Sequence, residues 1–210
     1  MGSVGLLYVG AILFINGLML MGLISGKGTA PLNFFVGGVQ VFTPTYLIVT
    51  AGGDMSIIYS AAGLYLFGFT YLWVGLNSVF GWDGRGLGWF SLFVAVAAVG
   101  FACYDALAAA NYPSAVMWIM WGILWFMFFL LLGLNKDIGA MTGWVAAVEG
   151  IVTGFIPAML MLMDFWQANL TFALILAGIA VVMLIVMAPV SKAIFAAALR
   201  TQPEETTPDA

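Results

Sequence analysis

Hydrophobic positions run through this chain in seven long stretches, and the polar positions fall between them. Cutting at the polar interruptions gives segments at 2–24, 30–50, 56–79, 86–110, 114–134, 140–163 and 169–190. Each approaches the ~20 residues that carry a helix across ~30 Å of hydrocarbon. The ~10-residue alternating segments of a membrane barrel do not occur in the pattern. The connections SGKGTAP, TAGGDMS, FGWDGRG, AAANYP, NKDIGA and MDFWQAN are short, so neighbouring helices must run antiparallel. The pattern predicts an all-α integral membrane bundle. The polar tail over 200–210, which ends in TQPEETTPDA, is expected to be disordered and outside the bilayer.

A faint repeat underlies the runs. NFFVGGV begins at Asn33, WFSLFVAV at Trp89 and WVAAVEGI at Trp144, about 55 residues apart, and asparagine recurs near the ends of odd helices at Asn16, Asn77 and Asn135. Three helical hairpins of common design followed by one added helix would give this spacing, and internal repeats are typical of transport folds.

Charge then sets an orientation. Lys27, Arg85 and Lys136 lie at the first, third and fifth connections, and Lys192 and Arg200 follow the seventh run. Asp54, Asp105 and Asp164 lie at or beside the second, fourth and sixth, which carry no Lys or Arg. All five basic residues therefore share one side, and the positive-inside rule puts the N-terminus outside and the C-terminus in the cytoplasm. The start, MGSVGLLYVGAILF, has no basic leader region and reads as the first span of the mature chain.

Composition agrees: 64% of residues are hydrophobic and 7% charged, against ~25% charged in soluble domains. A net charge of −4 excludes a basic nucleic-acid surface. There is no histidine, and Cys103 is the one cysteine. Disulfides, His/Cys metal sites and histidine-activated nucleophiles are thereby excluded, and neither metal nor cofactor is expected.

One charge breaks the pattern. Glu149 sits midway along GWVAAVEGIVTGFIPAMLML, a run with no other charge. A charged side chain at a helix centre costs ~2.5–3.5 kcal/mol on insertion scales, so Glu149 is expected to face the bundle interior or a wet cavity. No Lys or Arg lies within any run to pair with it. Around it, aromatic residues form stripes: Trp118, Trp121 and Trp125 at i, i+3, i+7, and Tyr65, Phe69 and Trp73 at i, i+4, i+8. In the first run Val9, Leu13 and Asn16 share a face, and an asparagine this deep needs another helix or a passing solute as partner. Pro157 could kink the sixth helix, and the glycines and methionines read as packing residues. The seventh run has no charge, Trp or Tyr and reads as a peripheral, lipid-facing span.

A path lined this way suits small, neutral, planar solutes. Their faces can lie on indole and phenyl rings while their N–H groups meet carboxylate and carbonyls. A bare ion would lose its hydration shell with little to replace it. Urea and short amides have the required shape, although periodicity alone does not single them out.

Six stretches, GLLYVGAILFINGL (5–18), NFFVGG (33–38), LFGFTYL (66–72), WFSLFVA (89–95), WGILW (121–125) and EGIVTGFIPA (149–158), resemble the AmiS/UreI family of urea and amide channels, in that family's order. The resemblance covers the first six helices. It implies a protomer over 1–168 with its own solute pore, six protomers in a ring around lipid, and an additional transmembrane helix over 169–199. It also implies pore constrictions at Val9, Leu13, Phe69, Trp73, Trp118, Trp121, Leu124 and Trp125, with Glu149 as the pore glutamate. Partners would be urea, acetamide-like amides, membrane lipid and a cytoplasmic amidase or urease.

Three departures qualify the resemblance. The family's acid-gated member carries a long histidine-bearing outer loop where this chain has TAGGDMS, so the usual switch between pH 5 and 8 is missing. Ser114 replaces a Trp at the outer mouth, and the seventh helix looks more like the amide-transport branch. The expectation is a passive facilitator in the bacterial inner membrane, not an enzyme. The competing readings are a proton-coupled carrier titrating Glu149 and a purely structural or receptor-type membrane protein.

Overall fold

Seven helices long and apolar enough to cross a bilayer account for nearly the whole of the computed structural model, which describes residues 2–200. For residues 188, 191, 192 and 194–200 it describes the backbone alone, and the tail from 201 on lies outside the described residues. The helices are α1 (Gly2–Leu20), α2 (Gly26–Thr50), α3 (Met55–Phe80), α4 (Arg85–Leu107), α5 (Tyr112–Gly133), α6 (Gly139–Leu162) and α7 (Leu170–Arg200). No strand occurs among the described residues.

The ends are set by local chemistry. Ser25 caps α2 by accepting the Gly28 N–H at 3.1 Å, and Asn111 caps α5 through Ser114. Asp54 caps α3, accepting from the Ser56 N–H at 2.8 Å and the Ser56 hydroxyl at 2.7 Å. Those bonds, the hydroxyl's first, hold the Asp54 carboxyl below its ordinary range. α1 stops at Leu20, short of the expected 24, because Gly22 turns the chain at φ 78°.

The first six helices close a ring. α2 packs along α3, α4 along α5, and α6 along α1, so each hairpin leans chiefly on the next one. Glycine makes the α1–α6 seam close. A Cβ on Gly154 would lie 2.3 Å from the Gly10 Cα, and one on Gly17 2.5 Å from the Gly143 carbonyl oxygen. Both α5 and α6 contain a π-helical turn, at Phe129–Gly133 and Gly150–Phe155. The second ends two residues before Pro157, whose missing N–H and ring disturb the α-helical ladder there. α7 packs outside the ring on α5 and α6, burying Ala173, Leu176 and Met183 and leaving most of its length exposed. It is the peripheral span the sequence implies.

Candidate functional site

The ring encloses a narrow cavity with a free volume of about 30 Å³. A single water needs ~10–15 Å³ by this measure, so the space is the size of about two waters. α1 contributes Leu13 and Asn16 and α3 contributes Phe67, Thr70, Tyr71 and Val74. α4 supplies Leu87 and Ser91, and α5 supplies Trp121, Leu124, Trp125 and Phe128. The wall is aromatic because Phe67 stands at its centre, with ring centroids 5.0 Å from Trp121 and 4.7 Å from Trp125.

A wider recess of about 400 Å³ opens where α1 and α3 begin and α2 and α4 end. Ser60 and Leu64 line that recess, while Phe67, Tyr71 and Val74 line the cavity, and all five fall on one face of α3 at helical spacing. The recess and the cavity are thus bordered by the same face of α3. Val9 and Trp118 are buried in the core and border neither space. Trp118 can approach α3 closely because Gly63 has no side chain; a Cβ there would sit 2.8 Å from the edge of the indole and 3.2 Å from the Phe101 ring. The indole stacks on Phe101 at 4.5 Å and 17°.

The indole N–H groups do not point into the cavity. Trp121 Nε1 donates to Thr153 Oγ1 at 2.8 Å, and that hydroxyl donates to the Glu149 backbone carbonyl at 2.7 Å. Trp125 Nε1 donates to Thr70 Oγ1 at 3.4 Å, and Thr70 Oγ1 donates to the Leu66 carbonyl at 2.7 Å. Threonines therefore hold both indoles by their N–H groups.

Glu149 is 0% exposed, and neither carboxylate oxygen has a hydrogen-bond partner. It does not itself border the cavity. It stands one turn before Thr153, which fixes Trp121, and next to Gly150, where a Cβ would lie 3.1 Å from the Leu13 Cβ. The one ion pair among the described residues, Arg85–Asp83, is at the surface, so no cation neutralises Glu149 there. Among those residues no three His, Cys, Asp or Glu side chains converge as a metal site would require.

Of the residues expected to line a path, Leu13, Asn16, Trp121, Leu124 and Trp125 border the cavity, and Val9 and Trp118 are buried in the same core without bordering it. Asn16 has found a helix as its partner: it exchanges hydrogen bonds of 3.0 and 2.8 Å with Asn33 on α2. Phe69 and Trp73 do not reach the cavity. Phe69 is 47% exposed and stacks on Tyr65, whose hydroxyl pairs with Thr45 of α2 at 2.6 Å. Trp73 covers Gly86 and packs beside Phe90. The reason lies in α3's glycines. Gly68 sits against the Gln40 backbone of α2, which turns the Phe69 side of the helix away from the centre. The positions that do face it, Phe67 and Tyr71, lie two residues to either side of Phe69, ~200° round the helix. Both belong to the quoted LFGFTYL stretch, but no stripe of aromatics singled them out.

Residues 1–165 match the model of the family described as AmiS/UreI family transporter. Over 204 residues, 97% of this chain and 96% of the relative, the sequence is 50% identical to a Mycolicibacterium smegmatis protein named as an amidate substrates transporter. It is 47% identical over 163 residues to the transporter protein AmiS2 of Rhodococcus erythropolis, covering 77% of this chain and 79% of that one. It is 32% identical over 194 residues to the acid-activated urea channel of Helicobacter pylori strain J99, covering 77% and 97%. The cryo-EM structure of the Helicobacter pylori urea channel in its closed state matches with a TM-score of 0.72 at 34% identity, covering 80% of this chain and all of that one. The crystal structure of the urea channel from the same bacterium gives 0.70.

Proposed function

Because the chain belongs to the AmiS/UreI family of transporters, we propose that it conducts short aliphatic amides and urea passively across the bacterial inner membrane, one solute at a time. One observation carries this reading: a bundle with an aromatic-walled cavity too narrow for a hydrated ion also buries a carboxylate that no protein group satisfies. A planar amide meets both requirements. Its faces rest on indole and phenyl rings, and its N–H groups supply the donors that Glu149 lacks.

In this reading Val9, Leu13, Trp118, Trp121, Leu124 and Trp125 narrow the path and Glu149 contacts the solute. Residues 1–168 form the conducting protomer, assembled as a homohexamer with the N-terminus outside, and 169–199 add a helix at its edge. With no histidine in the chain, flux has no acid gate.

The test is stopped-flow light scattering on proteoliposomes with urea and acetamide at about pH 5.5 and about pH 7.5, either side of the usual histidine range. Fast flux of both solutes at both pH values, reduced roughly tenfold or more by Glu149→Gln, is the expected result for a contact to a charged group. Flux that appears only with an inward proton gradient would move the protein to coupled transport with Glu149 as the titrating site.

A further inference from the structure

Of the two indoles that border the central cavity, Trp121 is held the more firmly. Its Nε1 donates to Thr153 Oγ1 at 2.8 Å, whereas Trp125 Nε1 reaches Thr70 Oγ1 at 3.4 Å, outside the usual range for an N–H···O bond. Thr153 is fully buried, and its hydroxyl is used in both senses: it accepts from the indole and donates to the Glu149 backbone carbonyl at 2.7 Å. With its one proton committed to that carbonyl, the oxygen can only accept toward Trp121.

The link stands apart from its surroundings. Among the described residues it is the one side-chain hydrogen bond that joins α5 to α6. Those helices lean chiefly on other neighbours, α5 on α4 and α6 on α1. Thr142 is also fully buried on α6, yet its hydroxyl has no partner, so burial on this helix does not by itself bring a threonine such a link. Thr153 differs in lying within the π-helical turn Gly150–Phe155, which alters the angle at which its side chain leaves the helix.

The indole held this way stands edge-on to both aromatic neighbours, at 87° to Phe67 with centroids 5.0 Å apart and at 86° to Trp118 with centroids 5.2 Å apart. The cavity is the size of about two waters, so an amide enters only as the wall side chains yield. On α5 they yield by turning of the indoles. A bond from the Trp121 N–H to a different helix limits that turning.

Building on the amide-conducting reading, we infer that Thr153 is a positioning residue that sets the width of solute the path accepts, by fixing the Trp121 indole from the π turn of α6. Thr153 touches no solute; its effect passes through Trp121. Thin, unbranched amides pass the fixed indole, and branched ones are held back by it.

The measurement is flux of acetamide and of the branched isobutyramide, each over protein-free liposomes, through wild-type, Thr153→Val and Thr153→Ser proteoliposomes. Valine keeps the shape of threonine and removes the hydroxyl, while serine keeps the hydroxyl. Thr153→Val should lower the acetamide-to-isobutyramide flux ratio roughly threefold to tenfold, as for one lost hydrogen bond, and Thr153→Ser should hold it within about twofold of the wild type. Thr153→Val also strands a buried indole N–H and lowers the unfolding midpoint. The ratio is therefore the readout, because the amount of folded protein does not move it. A second background separates positioning from packing. Trp121→Phe has no N–H to hold, so adding Thr153→Val to it should move the ratio no further. A wild-type ratio in Thr153→Val, or a ratio that falls again in the Trp121→Phe background, overturns the Thr153 assignment and leaves the amide reading standing. A wild type that passes acetamide no faster than protein-free liposomes overturns both.

Discussion

Asn16 and Asn33 each give and take one hydrogen bond between α1 and α2, and Asn33 Nδ2 also donates to the Thr29 carbonyl at 3.1 Å. Both are buried, so replacing one leaves the other's amide without its match. Asn33→Leu should cost about 1–2 kcal/mol. Asn16→Leu with Asn33→Leu should cost less than the two single changes added, because the double variant strands no amide. Denaturant unfolding in detergent measures both. The same physics explains which residues could be found from the sequence. Glu149 was legible because a lone carboxylate in a span is expensive wherever it points. Tyr71 was not, because α3 carries aromatics on more than one face and periodicity does not say which face is inside. The position of Gly68 against α2 decides it, and that contact is a property of the packed bundle.

Between elements, glycine decides how near two helices can come. α1 and α6 touch through Gly10 and Gly154, and the chain between Gly150 and Phe155 winds as a π turn directly after Glu149. Such turns concentrate at functional sites because they re-aim neighbouring side chains. In Gly10→Ala the new methyl would meet the Phe155 nitrogen at 2.5 Å and the Gly150 oxygen at 2.6 Å, so the helices must separate. The expected cost is about 1–3 kcal/mol, with reduced flux because Glu149 moves with α6. Gly38→Ala, with nothing within 4 Å, should change neither. Unfolding midpoints and proteoliposome flux of the two variants test the seam. The cap of α3 gives a pH signature. The Asp54 carboxyl is held low by the Ser56 hydroxyl and N–H, so its stabilisation is complete above its unfolded value of about 3.9 and is lost as pH falls through the lower folded one. Thermal unfolding of Asp54→Ala should therefore trail the wild type at neutral pH and converge with it in strong acid. Helix number and order were legible from hydropathy alone. The ends were less so, since Gly22 and Ser25 act through turn and cap geometry that a run of apolar letters does not register.

At the scale of the whole chain the open matter is what α7 contributes. The ring of α1–α6 contains every residue that borders the cavity, and Glu149 with it. The family model matches residues 1–165 and stops before α7, and the Helicobacter pylori urea channel matches over its entire length while covering 80% of this chain. α7 buries Ala173, Leu176 and Met183 against the ring, and those contacts favour the folded state without shaping the path. Deleting the chain from residue 169 should thus leave flux per folded protomer within about twofold of the full chain. It should lower the unfolding midpoint, since three apolar contacts contribute on the order of 1–3 kcal/mol. Flux normalised to the folded fraction, measured beside detergent unfolding of both forms, separates the two effects. Equal normalised flux at reduced stability places conduction in the first six helices and gives α7 a supporting role. A normalised flux that collapses while the protein stays folded means α7 acts on conduction itself, through α5 and α6, the helices that carry Trp121, Trp125 and Glu149.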